Sequence, residues 1–145
     1  MPGHKIVIKY QDGTIIKGWL NNFNPNREIF FINPLKEYSD KLKLDIKLQD
    51  LKAIFFVKDF VGDKDYQKVR TFENYNDITP TQRRIIVHLK GNEVLYGTSY
   101  SYNPTKVGFF VYPIDPMDNN IRIFVISSAV EKVEFPNSPS EGYHF

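Results

Sequence analysis

Two stretches of this 145-residue chain carry the same skeleton of residues at a constant spacing. GWLNNFNPNREIFFINP, residues 18–34, and GTSYSYNPTKVGFFVYP, residues 97–113, share a glycine, an Asn-Pro pair, a Phe-Phe pair and a final proline. Each shared residue of the second stretch lies 79 positions after its counterpart, as Gly18 and Gly97 show. A spacing without gaps predicts that one structural unit occurs twice, and two copies are too few for a solenoid.

The residues around the repeat favour strands over helices. Residues 42–49 alternate apolar and polar side chains, which is typical of a strand with one face in water. Residues 5–10 are rich in β-branched side chains and precede the sequence QDGT, whose glycine suits the positive φ of a hairpin turn. Gly18 and Gly97 fall inside predicted strands, where glycine marks a bend or a close backbone approach. We predict four or five short strands in each copy.

Such a short sheet buries one face and loses its free edges if it curls into a barrel. The predicted fold class is therefore all-β, with two tandem, small, strongly bent barrels of about five strands each, related by internal duplication. The expected core residues are Ile6, Ile8, Ile16, Leu20, Phe30, Ile32, Leu44 and Ile46 in the first barrel, and Ile85, Val87, Leu95, Phe109, Val111, Ile123 and Val125 in the second.

The remaining residues divide the chain into four parts. We assign residues 1–57 to the first barrel, 58–83 to a connecting segment, 84–135 to the second barrel and 136–145 to a loosely ordered, Pro- and Ser-rich tail. The connecting segment is too long for a tight turn, so we expect it to contain a short helix or an extra strand. Its large apolar residues are expected to pack across both barrels: Phe60, Tyr66, Val69 and Phe72.

Residues 5–34 resemble the first sequence motif of the Sm-like fold, with an apolar strand, an Asp-Gly turn, an apolar-x-Gly bend and an aromatic-Asn loop. The resemblance implies a bent five-stranded barrel for each copy and RNA contact by the loop after the bent strand. The matching loop positions are Phe23, Asn24, Asn26 and Arg27 in the first copy and Tyr102, Asn103 and Lys106 in the second. The Arg-Gly or Lys-Gly pair of the second Sm motif is absent from residues 42–57 and 121–133.

Two further resemblances concern the second copy. GFFVYPIDPMDNNIRIFVISSAVEKV, residues 108–133, is similar to a bacterial domain family of unassigned function that occurs near signalling and surface-motility proteins. This resemblance covers most of the chain. Arg83 and Arg84 resemble the entry arginines of the PilZ barrel, which implies a cyclic-dinucleotide receptor, although the RxxxR spacing of that family is missing.

The two Asn-Pro loops are the principal candidate binding site. Arg27 and Lys106 would present cations at equivalent places, and Tyr100 or Tyr102 would stack a base. The alternative is a purely structural turn, in which the Asn side chain bonds the backbone and Pro sets φ. Because Asn and Pro are common turn formers, the structural interpretation is the simpler one.

Composition and charge argue against several classes of protein: non-specific nucleic-acid binders, disulfide-bonded or cysteine-zinc proteins, and membrane proteins. Nineteen basic and seventeen acidic side chains give a net charge of +2, far short of the dense basic stripe of a non-specific nucleic-acid binder. The absence of cysteine excludes disulfides and cysteine-based zinc sites and suits a reducing compartment. No apolar run approaches the roughly 20 residues of a membrane helix, and no export signal is evident. We predict a cytoplasmic protein that does not enter a membrane.

Catalytic and metal-binding patterns are lacking. Ser127-Ser128 has no His and acid in a known spacing, and no glycine-rich phosphate loop follows a strand. His88 occupies a polar strand position without a second histidine at ligand spacing, so we expect an exposed residue. Residues 113–120 carry oxygen side chains but lack the spacing of a calcium loop, so we expect an ordinary strand connection. We predict no enzyme activity, no cofactor and no metal.

The leading functional hypothesis is a non-enzymatic binding or adaptor protein that acts through protein contacts in a bacterial signalling or regulatory setting. The alternative is single-stranded RNA binding through the two Asn-Pro loops, and the third is a cyclic-dinucleotide receptor. Exposed edge strands offer a route to homo-oligomers.

Overall fold

In the computed structural model, the described residues are 3–63, 65–68, 70–72 and 82–136. They form ten β-strands and two single turns of 3₁₀ helix. The strands are β1 (His4–Tyr10), β2 (Ile15–Leu20), β3 (Ile29–Pro34), β4 (Leu44–Lys47), β5 (Leu51–Val57), β6 (Arg83–Leu89), β7 (Glu93–Ser99), β8 (Gly108–Pro113), β9 (Asn120–Ile126) and β10 (Val130–Glu134). The 3₁₀ turns are Leu48–Asp50 and Ser127–Ala129.

The strands form one antiparallel sheet in the order β10-β6-β7-β8-β9-β5-β1-β2-β3-β4. The predicted all-β class is confirmed, but the sheet is open, with β4 and β10 at its two edges. The prediction of two closed barrels is therefore wrong in this respect. The physical reason is that β5 of the first half pairs with β9 of the second half. Hydrogen bonds between the halves therefore pair backbone groups that would be paired within each half if it closed into a barrel.

The two halves use the same strand order and the same pairing registers. Ile6 lies opposite Gly18 in the β1–β2 pair, and Ile85 lies opposite Gly97 in the β6–β7 pair. Within the sheet, the order β5-β1-β2-β3-β4 is matched by β10-β6-β7-β8-β9. The 79-residue spacing in the sequence therefore relates equivalent positions in the sheet.

Two hydrophobic cores lie on opposite faces of the central β5–β9 pair. Successive side chains of a strand point to opposite faces, and both strands divide their residues in this way. The first core contains Ile54, Phe56, Phe124 and Ile126, whereas the second contains Ala53, Phe55, Val57, Ile123 and Val125. Each core therefore contains residues from both halves of the chain.

The predicted core positions are confirmed. Ile16, Leu44 and Leu95 are partly buried against the cores, and all the other predicted core residues are buried. This success follows from the period-two pattern, which assigns every second residue of a half-buried strand to the core.

The connecting segment packs on both halves, as expected. The ring of Phe60 meets that of Trp19 on β2 edge-on at 5.4 Å, and the ring of Phe72 lies 6.3 Å from that of Tyr96 on β7. Val69 and residues 73–81 lie outside the described residues. The described parts of the segment before β6 contain neither the expected helix nor an extra strand.

Beyond β10 the structure describes Phe135 and Pro136, so residues 137–145 of the predicted tail, including His144, lie outside the described residues. In the described parts of the chain, no helical segment has the length and hydrophobicity that a membrane span requires.

Candidate binding groove between the two Asn-Pro loops

The Asn-Pro loops connect β2 to β3 and β7 to β8, and their asparagines form turns. The backbone N–H of Asn26 donates to Asn24 Oδ1 at 2.9 Å, and that of Arg27 donates to the Asn24 carbonyl at 3.1 Å. Asn103 accepts the equivalent pair at 3.0 and 3.1 Å, the second from Lys106. This is the turn that Asn side chains favour. The asparagines therefore shape the loops and place Arg27 and Lys106 at equivalent positions.

The loop aromatics pack into the cores. Phe23 meets the ring of Phe124 edge-on at 5.0 Å, and its counterpart Tyr102 meets the ring of Phe109 edge-on at 4.8 Å. Both side chains are half-buried. Of the predicted site residues with aromatic rings, Tyr100 is the exposed one, with 53% of its surface accessible.

A cavity of about 610 Å³ lies between the two loops. Asn26 and Arg27 line it from the first loop, and Lys106 lines it from the second. The β5–β9 pairing brings the two halves side by side, so that both loops reach one groove. The structure thus brings three predicted site residues together. The other predicted site residues are not among those lining the cavity: Phe23, Asn24, Tyr100, Tyr102 and Asn103.

The floor of this groove is apolar. Leu48 and Phe124 are buried, and Val107 and Phe110 are half-buried against the same core. Phe109 also lines the groove, but its side chain packs in the other core. The polar and small residues of the walls are Pro25, Glu28, Gln49, Ser101 and Gly108. Sequence reasoning missed the floor, although the repeated Phe-Phe pair contained a signal. Two consecutive strand residues point to opposite faces, so only one phenylalanine of each pair can enter a given core.

The charges of the groove are unbalanced. Arg27 and Lys106 are exposed cations, and Glu28 is the acidic residue of the lining. Within the described residues, the ion pairs involve neither cation. The groove therefore offers two free positive charges beside an apolar floor.

Hydrogen bonds from the 3₁₀ turns hold the groove walls. The Ser127 hydroxyl donates to the Lys106 carbonyl at 2.8 Å, and its backbone N–H donates to the Val107 carbonyl at 2.8 Å. The Leu48 N–H donates to the Glu28 carbonyl at 2.9 Å in the first half. Gln11 Nε2 donates to the Ser128 hydroxyl at 3.1 Å. Both serines of the Ser127-Ser128 pair thus make structural hydrogen bonds.

A second cavity, of about 400 Å³, has charged walls whose cations are largely paired. Lys9 lies 3.0 Å from Glu93, and Lys68 lies 2.8 Å from Asp118. Arg70 also lines this cavity. Because its ammonium groups are already neutralised by carboxylates, this cavity attracts an anion less than the groove does.

The arginines of the PilZ resemblance lie away from the groove. The Arg83 guanidinium stacks 3.8 Å from the ring centre of Phe135, and that of Arg84, which is 3% exposed, lies 5.4 Å from the ring of Phe72. Both side chains pack on aromatic rings. The cyclic-dinucleotide hypothesis stays a prediction.

The carboxylates of the β8–β9 connection form turns. Asp115 Oδ1 accepts the Met117 N–H at 2.9 Å, and Asp118 Oδ1 accepts the Asn120 N–H at 2.8 Å. The hydroxyl of Tyr66 also donates to Asp115 and holds the pKa of that carboxyl below its usual range. Across the described parts of the chain, no group of three or more His, Cys, Asp or Glu side chains is placed to hold a metal ion.

His88 is half-buried instead of exposed, because Glu134 on the neighbouring strand β10 covers it. His88 Nε2 lies 2.6 Å from Glu134 Oε2. This hydrogen bond is the main reason why the pKa of the Glu134 carboxyl is lowered. The pair fastens the edge strand β10 to β6.

This pair makes stability depend on pH. A carboxyl with a lowered pKa in the folded state stabilises the fold above its unfolded pKa of about 4.3, and this contribution is lost as pH falls through the folded value. We expect Glu134→Gln to be less stable than wild type at neutral pH, with the difference shrinking at about pH 3. Urea unfolding followed by Trp19 fluorescence measures this. Glu131→Gln, at an exposed position of the same strand, is the control. Parallel pH profiles for wild type and Glu134→Gln would contradict the assignment.

Residues 3–136, nearly the whole chain, match the model of a single protein family. The chain belongs to this family, the family of unknown function DUF6982. No curated protein and no solved structure matches the chain. The family match agrees with the expected domain family of unassigned function, and the resemblance to the Sm-like fold stays a prediction.

Proposed function

We propose that this protein is a non-enzymatic binding or adaptor protein and that a partner protein docks in the groove between the two Asn-Pro loops. One observation carries the proposal. Each half contributes a cation, Arg27 or Lys106, from the same turn position to one groove with an apolar floor. The groove measures about 610 Å³, within the roughly 300–1,000 Å³ of small-molecule pockets, so it takes a few side chains of a partner and not a whole protein face.

The packing of the aromatic rings favours a protein partner over single-stranded RNA. Single-strand binders stack bases on accessible aromatic faces. Phe124 in the groove floor is only 2% exposed, Phe109 packs in the second core, and Phe23 and Tyr102 pack into the cores as well. RNA is the second candidate, supported by the two unpaired cations and by exposed Tyr100. A bacterial signalling or regulatory setting is part of the proposal on the strength of the resemblance described above.

We also propose that the halves arose by duplication of one unit, each a strongly bent, Sm-like sheet. The support is the equal strand order and the equal registers at a constant spacing of 79 residues. In this proposal the unit is completed by the other half at the β5–β9 junction and does not close on itself.

Reversal of the groove charges tests the proposed site. Arg27→Glu combined with Lys106→Glu is expected to reduce capture of partner proteins from a bacterial lysate by about tenfold or more, because both cations become repulsive to the same ligand. The control combines Lys36→Glu with Lys90→Glu, two exposed lysines outside the groove, and makes the same change in net charge. Quantitative mass spectrometry of the captured proteins measures the effect.

The outcomes separate the candidate functions. Partner proteins that are lost with the groove variant and retained with the control support the proposal. Equal capture by all three chains would contradict the groove as the site. Captured material that disappears after ribonuclease treatment, with salt-sensitive binding to oligouridine, would establish the RNA candidate instead. Turnover of a compound in a metabolite panel would refute the non-enzymatic assignment.

A further inference from the structure

We infer that the groove takes a short segment of the partner protein in which acidic side chains flank one large apolar side chain. This inference rests on the proposed function and specifies the chemistry of the segment. It follows from the positions of Arg27 and Lys106, from the apolar side chains of the floor, and from the negative charge of Glu28.

The two cations select carboxylates. Arg27 presents a planar guanidinium that pairs with a carboxylate through two parallel hydrogen bonds, and Lys106 presents a compact charge with three donors. The turn bonds of Asn24 and Asn103 hold the backbone of these residues in place, so the side chains approach the groove from two separate loops. Two separated cations suit two separated acidic groups.

The floor selects an apolar side chain between the acids. Val107 and Phe110 are half-buried and line the cavity together with buried Leu48 and Phe124, which belong to the same core. Covering this surface with a large apolar side chain removes apolar area from water on both partners. A gain of roughly 10- to 100-fold in affinity is expected from such an anchor.

Glu28 limits how acidic the segment can be. Glu28 lines the groove, adjacent to Arg27 in the chain, and its negative charge repels further negative charge. A polyanion, with a charge at every backbone unit, would meet this repulsion, whereas a segment with a few acids can place them at the cations. Asn26, Gln49 and Ser101 line the groove as well, and side-chain amides and hydroxyls of this kind bond the peptide groups of a segment.

Fluorescence anisotropy with labelled peptides tests this inference on the full chain. The probes are Gly-Ser-Glu-Phe-Glu-Ser-Gly, the same peptide with Ser for Phe, and the same peptide with Gln for every Glu. The protein variants are Arg27→Gln with Lys106→Gln, and Lys36→Gln with Lys90→Gln as the charge-matched control. All four positions are exposed, so the substitutions are expected to leave the unfolding midpoint unchanged.

The acidic Phe peptide is expected to bind wild type and the control variant with affinities within about twofold of each other. Replacing Phe by Ser in the peptide, or both groove cations by Gln in the protein, should each weaken binding by about tenfold or more. The cation substitutions should leave binding of the Gln peptide unchanged. This coupling between peptide acids and groove cations is the result that supports the inference.

Two results would overturn it in different ways. If the three peptides bind equally or not at all, while capture of partner proteins still depends on the groove cations, the segment chemistry is wrong and the proposed function stands. If oligouridine binds in a cation-dependent way and no partner protein does, the inference and the proposed function both fail.

Discussion

Replacing Gly97 by alanine is expected to lower the free energy of unfolding by about 1–3 kcal/mol, the usual cost of forcing extra atoms into a packed site. A Cβ atom on Gly97 would lie 2.3 Å from the carbonyl oxygen of Tyr112 and 2.8 Å from Cγ1 of Val111. Because the closest atom belongs to the backbone of β8, the strand pair itself must move. Gly18, the equivalent residue of the first half, would meet the Asn33 carbonyl at 2.6 Å and should respond in the same way.

Urea unfolding followed by the fluorescence of Trp19, the single tryptophan, measures this effect. Gly62→Ala is the matched control, since the three atoms nearest to its Cβ atom would all belong to the Asn119 side chain, the closest at an ordinary contact distance of 3.4 Å. A change within about 0.5 kcal/mol is expected there. Equal midpoints for Gly97→Ala and Gly62→Ala would show that β7 and β8 do not approach as closely as the structure has them.

The sequence pattern was sufficient to locate the strands that have one face in water. Leu44 and Ile46 alternate with the polar residues Lys43, Asp45 and Lys47, and this alternation alone assigns them to the core. The bend or close approach at Gly97 was predicted from local sequence as well, because glycine weakens a strand and is found inside one mainly where the backbone bends or another chain segment comes near.

The open sheet was not predictable in the same way. Residues 53–57, AIFFV, and residues 123–126, IFVI, lose the polar alternation, which is typical of strands buried on both faces. That signal indicates that something covers the second face of β5 and of β9. It does not identify the strand that pairs with β5 along its edge. Pairing between distant strands is determined by the packing of the whole chain and not by local sequence.

For the candidate site too, local sequence predicts some features, and others depend on the whole fold. The repeat predicted that Arg27 and Lys106 occupy equivalent places, and the structure has both lining one groove. The aromatic neighbours Phe23 and Tyr102 pack into the cores instead. A ring beside a loop asparagine fits a core and a binding surface equally well, so local sequence does not distinguish the two. The convergence of the loops depends on the β5–β9 junction.

Truncation of Phe124 is expected to have the largest effect, a loss of about 3–5 kcal/mol for Phe124→Ala. Phe124 is 2% exposed and belongs to β9, yet it packs in the first core, with its ring 5.0 Å from the rings of both Phe23 and Phe110. Alanine there would leave a cavity among aromatic side chains from both halves. The substitution should therefore destabilise the first half although it lies in the second.

Two probes of unfolding test whether the halves are one cooperative unit. Trp19 fluorescence reports the first half, and far-ultraviolet circular dichroism reports the whole sheet. Because β5 and β9 supply side chains to both cores, the two transitions should coincide in wild type and shift together in Phe124→Ala. Phe31→Ala, at a position that is 47% exposed, is the control and should cost less than about 1 kcal/mol. Transitions that separate, with fluorescence unaffected by Phe124→Ala, would mean that each half is stable without the other and that the β5–β9 junction adds little to the fold.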